Sequence, residues 1–505
     1  FFKKSSNRFF MTEIFYFILA LFLLFFSARG RLKLAPIDWG LAYFSKYDFA
    51  NQLALNGIHT LGKTMLDEHK ESSPDYLAEF HFSDDREALS HVQKLLLQKN
   101  ERLEDSLNSI RRYIFIDSTE NEHKYPNVVI IFLESWLAEY VGSLGGKLDL
   151  TPHFDSLARR GILFENFFAT GTRTNRGLLS VLCSFPSQPG TTLMKKFNSF
   201  GSAPGHNQPF ISLSKILKQR RYKTSFIYGG DLLFDNMEGF FRQQGFDYFI
   251  GQEDFSKNEF ANKWGVPDDI VFSRAIEEFS RIGDNPFLGV IVTLSNHEPF
   301  TVPRNATKPY PPDYPNSEYL NAFHYSDWAL GKFFHQAGKE AFFKNTIFVL
   351  VADHGRLLQS QSDLPLERFH IACLIYSPEI LGKEPERIKT VASQTDLLPT
   401  ILGLLGKPAL HESWGRNLFS LSSEDKGFAM MVDGKRIGWV DPPYFLVDRI
   451  GATTSLYNYL EDPEQKKDIF SEYPEITEEL QKKERAFLQL SVQQSAKKGI
   501  KTKVK

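Results

Sequence analysis

Residues 168–185 read FATGTRTNRGLLSVLCSF, and we expect the rest of the chain to be organised around them. Small residues form a turn that ends at Gly171, and an apolar periodicity typical of a helix begins at about Asn175. Thr174 therefore lies where a helix begins, beside unpaired backbone N–H groups and the positive end of the helix dipole. An anionic phosphoryl group is favourable there. The alternative interpretation is a threonine that only caps the helix.

Two arginines flank this hydroxyl. Arg173 and Arg176 would each offer a planar set of donors for phosphate oxygens. A threonine hydroxyl is a poor nucleophile at neutral pH unless a base or a metal ion lowers its pKa. A nucleophilic Thr174 therefore requires a metal site nearby.

The composition limits the class of protein. The chain has 505 residues, of which 42% are hydrophobic, so it can form one large domain or two with a sizeable core. Its formal net charge of -2 gives no support for nucleic acid as a partner. Cys183 and Cys373 each lie in an apolar run and are interpreted as small core residues rather than a disulfide framework.

The N-terminal part reads as a membrane anchor followed by a connector. Phe9–Ala28 is mostly apolar and would form a helix ~30 Å long, about the thickness of a bilayer core. Because the sequence starts with Phe, residues 1–29 are predicted to be the last transmembrane helix of a truncated multi-span region; a signal peptide is the alternative. Residues 30–124 are predicted to form a juxtamembrane helical connector with an amphipathic helix over Arg86–Leu107. The aromatic residues around Trp39–Phe49 indicate a segment at the membrane interface; the alternative is aromatics packed on the next domain.

From Asn127 onward, short apolar runs alternate with helical segments. The strand predictions are Val128–Leu133, Ile162–Phe168, Thr224–Tyr228, Phe287–Leu294, Thr346–Ala352 and Ile371–Tyr376. The helix predictions are Thr151–Arg160, Leu178–Leu182, Ser212–Arg220, Asp269–Arg281 and Tyr319–Ala337. This alternation predicts an α/β fold in residues 125–420, with a mostly parallel central sheet covered by helices on both faces.

The pattern changes again after about Ser420. Short antiparallel strands are predicted at Phe428–Val432, Ile437–Val440 and Tyr444–Asp448. A charged helical stretch follows over Tyr457–Leu490, and a solvated basic tail over Lys497–Lys505. Residues 421–505 are therefore predicted to form a small C-terminal α+β subdomain with a tail.

Metal-capable side chains follow four of the predicted strands. Glu134 follows the first, Asp231 comes two glycines after another, His297 follows a third, and Asp353 and His354 follow a fourth. Ligands of open parallel sheets bind beyond the carboxyl ends of the strands, so these side chains are expected to meet at one edge. Four strands that end in this way indicate a functional site.

Part of this set suits a metal ion. Glu134, Asp353 and His354 offer two carboxylates and an imidazole, which suit Mn²⁺, Zn²⁺ or Mg²⁺, and the Thr174 oxygen would complete four ligands. The alternative for Asp353-His354-Gly355 is an ordinary turn at a strand end.

Three further positions are candidates for substrate binding. His297 would protonate a leaving oxygen or hold a phosphoryl oxygen; the alternative is a structural loop histidine. His370 enters the next strand and would reach the same edge from its start; the alternative is a histidine that caps the core. The segment from Asp231 to Asn236 would line a pocket for a hydroxyl-bearing substrate; the alternative is a turn before a helix.

These residues resemble the lipoteichoic acid synthase-like branch of the sulfatase and alkaline phosphatase superfamily. The matching pieces, in family order, are NVVIIFLESW at 127–136, GTRT at 171–174, SNHEPF at 295–300 and ADHG at 352–355. The resemblance implies a threonine nucleophile, here Thr174. It also implies a divalent cation, most often Mn²⁺, held by Glu134, Thr174, Asp353 and His354. His297 matches the family's substrate-binding histidine, and His370 resembles the phosphate-binding histidine of phosphoethanolamine transferases.

The resemblance also implies a function at the cell (inner) membrane, with an extracytoplasmic or periplasmic catalytic domain. Relatives of this kind transfer phosphoglycerol from phosphatidylglycerol to a glycan or glycolipid acceptor through a phospho-threonine intermediate. Phe234–Met237 replaces the aromatic-and-arginine pattern associated with the glycerol-phosphate pocket, which leaves the donor and the acceptor open.

Two other functions stay open. One is a hydrolase that uses water as acceptor, either a phosphodiesterase or a sulfuric ester hydrolase. Sulfatases that carry formylglycine form it from a Cys or Ser followed by proline and arginine. Thr174–Gly177 lacks that pattern, which disfavours sulfate esters. The other is a catalytically silent, membrane-anchored binding protein.

Overall fold

The computed structural model describes residues 7–29, 84–115, 125–190, 192–196, 210–259, 264–303, 306–356, 362–377, 379–381, 385–449 and 452–497. The predicted interfacial segment Trp39–Phe49 and the basic tail beyond Lys497 lie outside these residues.

The strands are numbered in chain order. They are β1 (Glu101–Leu103), β2 (Arg112–Ile114), β3 (Asn127–Leu133), β4 (Ile162–Phe164), β5 (Phe167–Phe168), β6 (Lys223–Tyr228), β7 (Tyr248–Ile250), β8 (Phe287–Val292), β9 (Thr346–Ala352), β10 (Cys373–Tyr376), β11 (Glu386–Ile388), β12 (Ala392–Ser393), β13 (Ala409–His411), β14 (Ala429–Asp433), β15 (Arg436–Asp441), β16 (Tyr444–Arg449) and β17 (Ser455–Asn458).

The helices are numbered in the same way. They are α1 (Asn7–Arg29), α2 (Asp85–Leu96), α3 (Pro152–Ala158), α4 (Thr174–Cys183), α5 (Leu193–Lys196), α6 (Leu213–Gln219), α7 (Met237–Gln243), α8 (Asp268–Ile282), α9 (Ser317–Ala337), α10 (Leu397–Leu404) and α11 (Pro474–Lys497).

An eight-stranded sheet forms the centre of the fold, in the order β11-β4-β10-β9-β3-β8-β6-β7. Only β10 runs antiparallel to its neighbours; the other pairings are parallel. Every residue of β3 and β9 is buried. Because successive side chains of a strand point to opposite faces, both faces must be covered, as the near-continuous apolar runs predicted. The predicted α/β fold with a mostly parallel sheet is confirmed.

The described part of the predicted connector, residues 84–115, pairs with a strand from later in the chain. Strand β2 pairs with β1 on one side and with β13, from far along the chain, on the other. Arg86–Leu107 was predicted to be one helix, which is wrong, because α2 ends at Leu96 and the chain enters β1. The buried pair Glu101–Arg112, with a 2.8 Å contact, outweighs the local helical pattern.

The N-terminal helix α1 spans 23 residues, and its described side chains, 11–27, are mostly apolar and exposed. Within the described residues, no helix is both long enough and apolar enough to cross a membrane.

The C-terminal residues form an antiparallel sheet in the order β14-β15-β16-β17, followed by α11. The three predicted strands are present, and β17 was missed. The helix begins at Pro474 rather than near Tyr457 because residues 455–458 pair with β16. Val432 of β14 donates to the carbonyl of Thr170, so this sheet contacts the turn before Thr174.

One further strand prediction needed adjustment. Ile162–Phe168 was predicted to be one strand, but the chain divides it into β4 and β5. Strand β4 pairs within the central sheet, whereas β5 pairs with β12 in a separate two-stranded sheet. The division places Glu165 at the carboxyl edge of the central sheet.

Candidate active site

A cluster of three metal-capable side chains lies at the carboxyl edge of the central sheet. Glu134 follows β3, and Asp353 and His354 follow β9; these strands are parallel neighbours whose last residues, Leu133 and Ala352, lie opposite each other. One ligand atom from each of the three side chains lies within 4.8 Å of the others. The Nε2 atom of His354 is 3.8 Å from Glu134 Oε1 and 3.6 Å from Asp353 Oδ2. The structure thus brings three predicted ligands together.

The electrostatics of this cluster fit a cation. Asp353 Oδ1 accepts from the backbone N–H groups of Ser135 and His354 at 2.9 and 2.7 Å. Asp353 Oδ2 is buried and has no hydrogen-bond partner in the described part of the chain. Burial, and then the Asp353 carboxylate, raise the pKa of Glu134 well above its usual range. Two buried carboxylates with an unpartnered oxygen are costly unless a positive charge lies between them. The donor set therefore fits a divalent cation.

The turn that carries Glu134 is held from several sides. Its backbone N–H donates to Thr293 Oγ1 at 2.9 Å, and its carbonyl accepts from Asn296 Nδ2 at 3.1 Å. Ser135 has a φ of 59° and donates its hydroxyl to Glu134 Oε1 at 2.7 Å. A serine in the left-handed region costs about 1 kcal/mol or more, so surrounding contacts must hold it there. The turn aims the Glu134 carboxylate at the cluster.

Thr174 is the first residue of α4, one residue earlier than the sequence suggested. Its side chain is half-buried, and within the described residues its hydroxyl makes no hydrogen bond. A Cβ atom built on Gly177 would lie 2.2 Å from the carbonyl oxygen of Asp353. Gln394 donates to that same carbonyl at 2.7 Å. The start of α4 is therefore packed against the strand end that carries the metal cluster.

His297 lies near the cluster. Its ring packs on Trp264 with 3.9 Å between ring centroids, and its Nδ1 lies 3.3 Å from the Glu298 carbonyl. Burial lowers the pKa of His297, and the Asp353 carboxylate acts in the opposite direction. The imidazole is accordingly neutral at pH 7, with Nδ1–H donating to the carbonyl and Nε2 carrying the lone pair.

Two of the candidate substrate-binding side chains, Arg176 and His370, lie within hydrogen-bond distance of backbone carbonyls. Arg176 donates to Gln188 O at 3.0 Å and Gly190 O at 2.9 Å, and burial lowers its pKa to about 10. His370 Nε2 lies 2.7 Å from Glu165 O, and burial lowers the pKa of His370. The sequence led us to expect phosphate contacts from both. In the structure, both side chains contact backbone carbonyls of the loops that enclose them. A contact of either side chain with phosphate stays a prediction.

The predicted pocket segment lies beside α4. The Asp235 carboxylate accepts from the side-chain amide of Asn175, the residue that follows Thr174, and from Lys195 Nζ, each at 2.5 Å. Asn236 donates to Met194 O at 3.1 Å, and its Oδ1 has no partner within the described residues. Asp231 accepts from the backbone N–H of Leu233 at 3.1 Å. The remaining candidate, the N-cap arginine at position 173, is exposed.

A contact from the C-terminal sheet was missed by the sequence analysis. Asp433, at the end of β14, accepts from Thr172 Oγ1 at 3.3 Å and from Arg368 Nη1 at 2.9 Å. Thr172 is two residues before Thr174, so the C-terminal sheet holds the turn that presents the hydroxyl. The two strands of this hairpin were predicted, and Asp433 pairs with Arg436 across a two-residue turn in which Gly434 has a φ of 62°.

Comparisons with known proteins find a matching family and several relatives. The sulfatase family model matches residues 126–407. A lipoteichoic acid synthase-like protein of Bacillus subtilis is 22% identical over 362 residues, covering 66% of this chain and 57% of that protein. Phosphoglycerol transferase I of Citrobacter koseri is 28% identical over 240 residues, covering 45% of this chain and 30% of that protein.

A solved structure of an alkaline phosphatase superfamily protein from Vibrio parahaemolyticus superposes with a TM-score of 0.73 at 30% identity, covering 84% of this chain and 99% of that one. The chain spans about half the length of the curated lipoteichoic acid synthases that it matches.

Proposed function

Because the chain belongs to the sulfatase family, we propose that it is a metal-dependent phosphotransferase that uses Thr174 as its nucleophile. The observation that carries the proposal is the start of α4 packed, through Gly177, against the carbonyl of Asp353. This packing supports a role for the Thr174 hydroxyl, at the N-terminus of α4, in attack on a phosphoryl group held by a cation at the candidate cluster.

The proposed substrates follow from the relatives. Proteins named lipoteichoic acid synthase and phosphoglycerol transferase I match this chain. We therefore infer a phospholipid donor, phosphatidylglycerol first, and an extracytoplasmic glycan or glycolipid acceptor. The group transferred is phosphoglycerol or a similar head group.

Glu134, Asp353, His354 and Thr174 would hold the divalent cation, and Mn²⁺ is the first candidate given the two carboxylates and one imidazole. When bound, the cation lowers the pKa of the Thr174 hydroxyl and neutralises negative charge on the phosphoryl group.

In the first step, Thr174 Oγ forms a bond to phosphorus while the bond from phosphorus to the diacylglycerol oxygen breaks. The exposed Arg173 and the N-terminal N–H groups of α4 stabilise the phosphoryl oxygens. The product is a phosphodiester on Thr174, and the proton that the Thr174 hydroxyl loses passes to His297 Nε2 and from there to the leaving diacylglycerol oxygen.

In the second step, the hydroxyl of the acceptor attacks the same phosphorus and Thr174 Oγ leaves. We assign the base of this step to His297, because its Nε2 lone pair is free while Nδ1 faces the Glu298 carbonyl. The proton that His297 takes from the acceptor hydroxyl then goes to Thr174 Oγ as it leaves, which restores the neutral imidazole and the Thr174 hydroxyl. Arg176 and His370 act as positioning residues in this scheme.

We propose that residues 1–29 attach the enzyme to the cell membrane with its catalytic part outside the cytoplasm. The exposed apolar side chains of α1, such as Phe15, Phe17 and Leu24, support attachment to a lipid phase. Residues 30–124 then act as connector, 125–420 as catalytic domain, and 421–505 as C-terminal subdomain with its tail.

The test uses the full chain in detergent micelles with Mn²⁺ and a fluorescent phosphatidylglycerol. We expect diacylglycerol release by the wild type, slower release by Thr172→Ala, which keeps the Thr174 hydroxyl but loses the contact with Asp433, and no release by Thr174→Ala. Release that rises with added glycolipid identifies a transferase, whereas release that is independent of acceptor identifies a hydrolase. Equal release by Thr174→Ala and wild type would contradict the proposal.

A further inference from the structure

An open cleft of about 920 Å³ lies at the edge of the central sheet opposite the metal cluster. It is formed around the amino ends of β6, β7 and β8, and its lining residues are Lys218, Arg221, Tyr222, Lys223, Arg242, Phe246, Asp247, Tyr248 and Asn285. Glu134 and Asp353, by contrast, follow the carboxyl ends of β3 and β9. The six-residue strand β6 separates the two edges by ~20 Å at the usual rise per residue.

The cleft is strongly positive within a chain of formal net charge -2. Four of its lining side chains are cationic, whereas Asp247 is the single carboxylate among them. Asp247 is paired with Lys218, and Arg242 is paired with Glu238 at 2.5 Å. The cleft therefore keeps cationic charge that no carboxylate of its lining neutralises.

Arg221 and Lys223 supply this surplus charge. Within the described residues, neither forms an ion pair, and both are exposed on either side of the buried Tyr222. The Tyr222 hydroxyl donates to Pro126 O at 2.8 Å, and the Lys223 N–H donates to Pro286 O at 2.9 Å, so this backbone is fixed. Arg221 has a φ of 65°, a conformation that costs a non-glycine residue about 1 kcal/mol or more. The fold thus holds Arg221 and Lys223 side by side over the cleft, with no ion-pair partner among the residues that the structure describes.

Beside the cations lie two side chains whose chemistry suits contact with sugars, Tyr248 and Asn285. Tyr248, on the edge strand β7, is 46% exposed and offers a flat apolar ring to the C–H face of a sugar. The exposed amide of Asn285 offers a donor and an acceptor for hydroxyl groups. Arginine and lysine bind phosphate or sulfate oxygens.

We propose that this cleft binds an anionic glycan, a chain of sugars that bears phosphate or sulfate groups. Arg221 and Lys223 contact the anionic groups, and Tyr248 stacks on a sugar ring. The volume accommodates a ligand of a few sugar residues. This site goes beyond the proposed function, since it lies at the other edge of the sheet and would hold a glycan while the Thr174 site reacts.

The experiment measures binding of a sulfated dextran oligosaccharide to the full chain by isothermal titration calorimetry. Unsulfated dextran of equal length and inorganic polyphosphate are run in parallel. The test variant is Arg221→Asn/Lys223→Gln, because asparagine tolerates the positive φ at position 221. The matched control is Lys99→Gln/Lys339→Gln, which removes the same charge from two exposed lysines away from the cleft.

We expect sulfated dextran to bind the wild type and the control equally and the test variant at least tenfold more weakly. Tyr248→Ala should weaken binding of sulfated dextran severalfold and leave binding of polyphosphate unchanged. Diacylglycerol release without glycan should be the same in all variants, which separates this site from the Thr174 reaction.

Equal binding of sulfated dextran by the test variant and the control would overturn the proposal. Polyphosphate binding that matches sulfated dextran, with no effect of Tyr248→Ala on either, would show a general polyanion surface and would also overturn it. Anionic phosphatidylglycerol vesicles that bind through Arg221 and Lys223, while sulfated dextran does not, would identify a lipid surface as the partner instead.

Discussion

The carbonyl oxygen of Asp353 lies 2.2 Å from the position that a Cβ atom on Gly177 would occupy. Gly177 is in the first turn of α4, three residues after Thr174, and Asp353 is a candidate metal ligand. No side chain fits between the helix and the strand end. In the proposed mechanism, this close approach allows the Thr174 hydroxyl and the cation site to act on the same phosphoryl group.

We predict that Gly177→Ala reduces diacylglycerol release by about 100-fold, because the added methyl group displaces α4 by ~1 Å from the metal cluster. Mn²⁺ should still bind, since the side chains of Glu134, Asp353 and His354 are unchanged. The matched control is Gly338→Ala, where a Cβ would lie 3.1 Å from its nearest neighbour at the end of α9. Full activity of Gly177→Ala would show that the spacing between helix and strand is unimportant.

Glu134→Gln should stabilise the metal-free protein at pH 7. The pKa of Glu134 is raised above its ordinary value of 4.5, so ionised Glu134 opposes folding increasingly as pH rises above 4.5. Removing that charge removes the penalty. Thermal unfolding with chelator should therefore show a higher Tm for the variant than for the wild type.

Mn²⁺ should reverse this order. At a concentration 100 times Kd, a ligand that binds only the folded state stabilises it by about 2.7 kcal/mol, so Mn²⁺ should raise the Tm of the wild type but not of Glu134→Gln. Glu277→Gln, on an exposed face of α8, is the control and should respond like the wild type. An equal response of Glu134→Gln to Mn²⁺ would remove Glu134 from the metal site.

Asp433→Asn should lower kcat about tenfold and leave the affinity for Mn²⁺ unchanged. The variant loses the ion pair with Arg368 and weakens the acceptor for Thr172, which loosens the turn before Thr174. Asp441→Asn, in the same sheet and paired with Lys483, is the matched control. If Asp433→Asn and Asp441→Asn have the same kcat, the C-terminal sheet does not position the nucleophile.

Protonation of His411 should destabilise the protein in mild acid. His411 is buried between Glu101 and Ser413, and burial lowers its pKa to about 4. The unfolded chain therefore binds more protons between pH 6.5 and pH 4, so stability from this residue is complete above pH 6.5 and falls as pH falls. The loss between pH 7 and pH 5 is about 2 kcal/mol.

His411→Gln should show a smaller fall in unfolding free energy between pH 7 and pH 5, measured by urea denaturation. His335→Gln, on an exposed position of α9, should keep the wild-type pH dependence. Identical slopes for His411→Gln and wild type would contradict the assignment.

The sequence allowed three metal-capable residues to be predicted together because parallel strands end at the same edge of a sheet. Glu134 and Asp353 are far apart in the chain, yet the strand ends alone were enough to group them. The position of Thr174 followed from a helix start, which is a local signal. The contact of Asp433 with Thr172 spans 261 positions and depends on how the C-terminal sheet packs, so no local pattern could predict it.

In the fold as well, local sequence patterns predicted some elements, whereas contacts between distant residues determined others. Long apolar runs such as Thr346–Ala352 were predicted to the residue because burial on both faces fixes their composition. The helix predicted over Arg86–Leu107 was too long because Glu101 bonds His411, 310 positions away, and the connector becomes a strand there. The contacts of Arg176 with backbone carbonyls could not be predicted from the sequence either, because they depend on the loop that encloses the guanidinium.

The most direct measurement of the central claim is mass spectrometry of the full chain quenched during turnover of phosphatidylglycerol with Mn²⁺. The account predicts an added phosphoglyceryl group on the peptide that contains Thr174, and on no other peptide, with the adduct absent from Thr174→Ala. An adduct on Ser135 or Thr172, or turnover by Thr174→Ala at the wild-type rate, would contradict it.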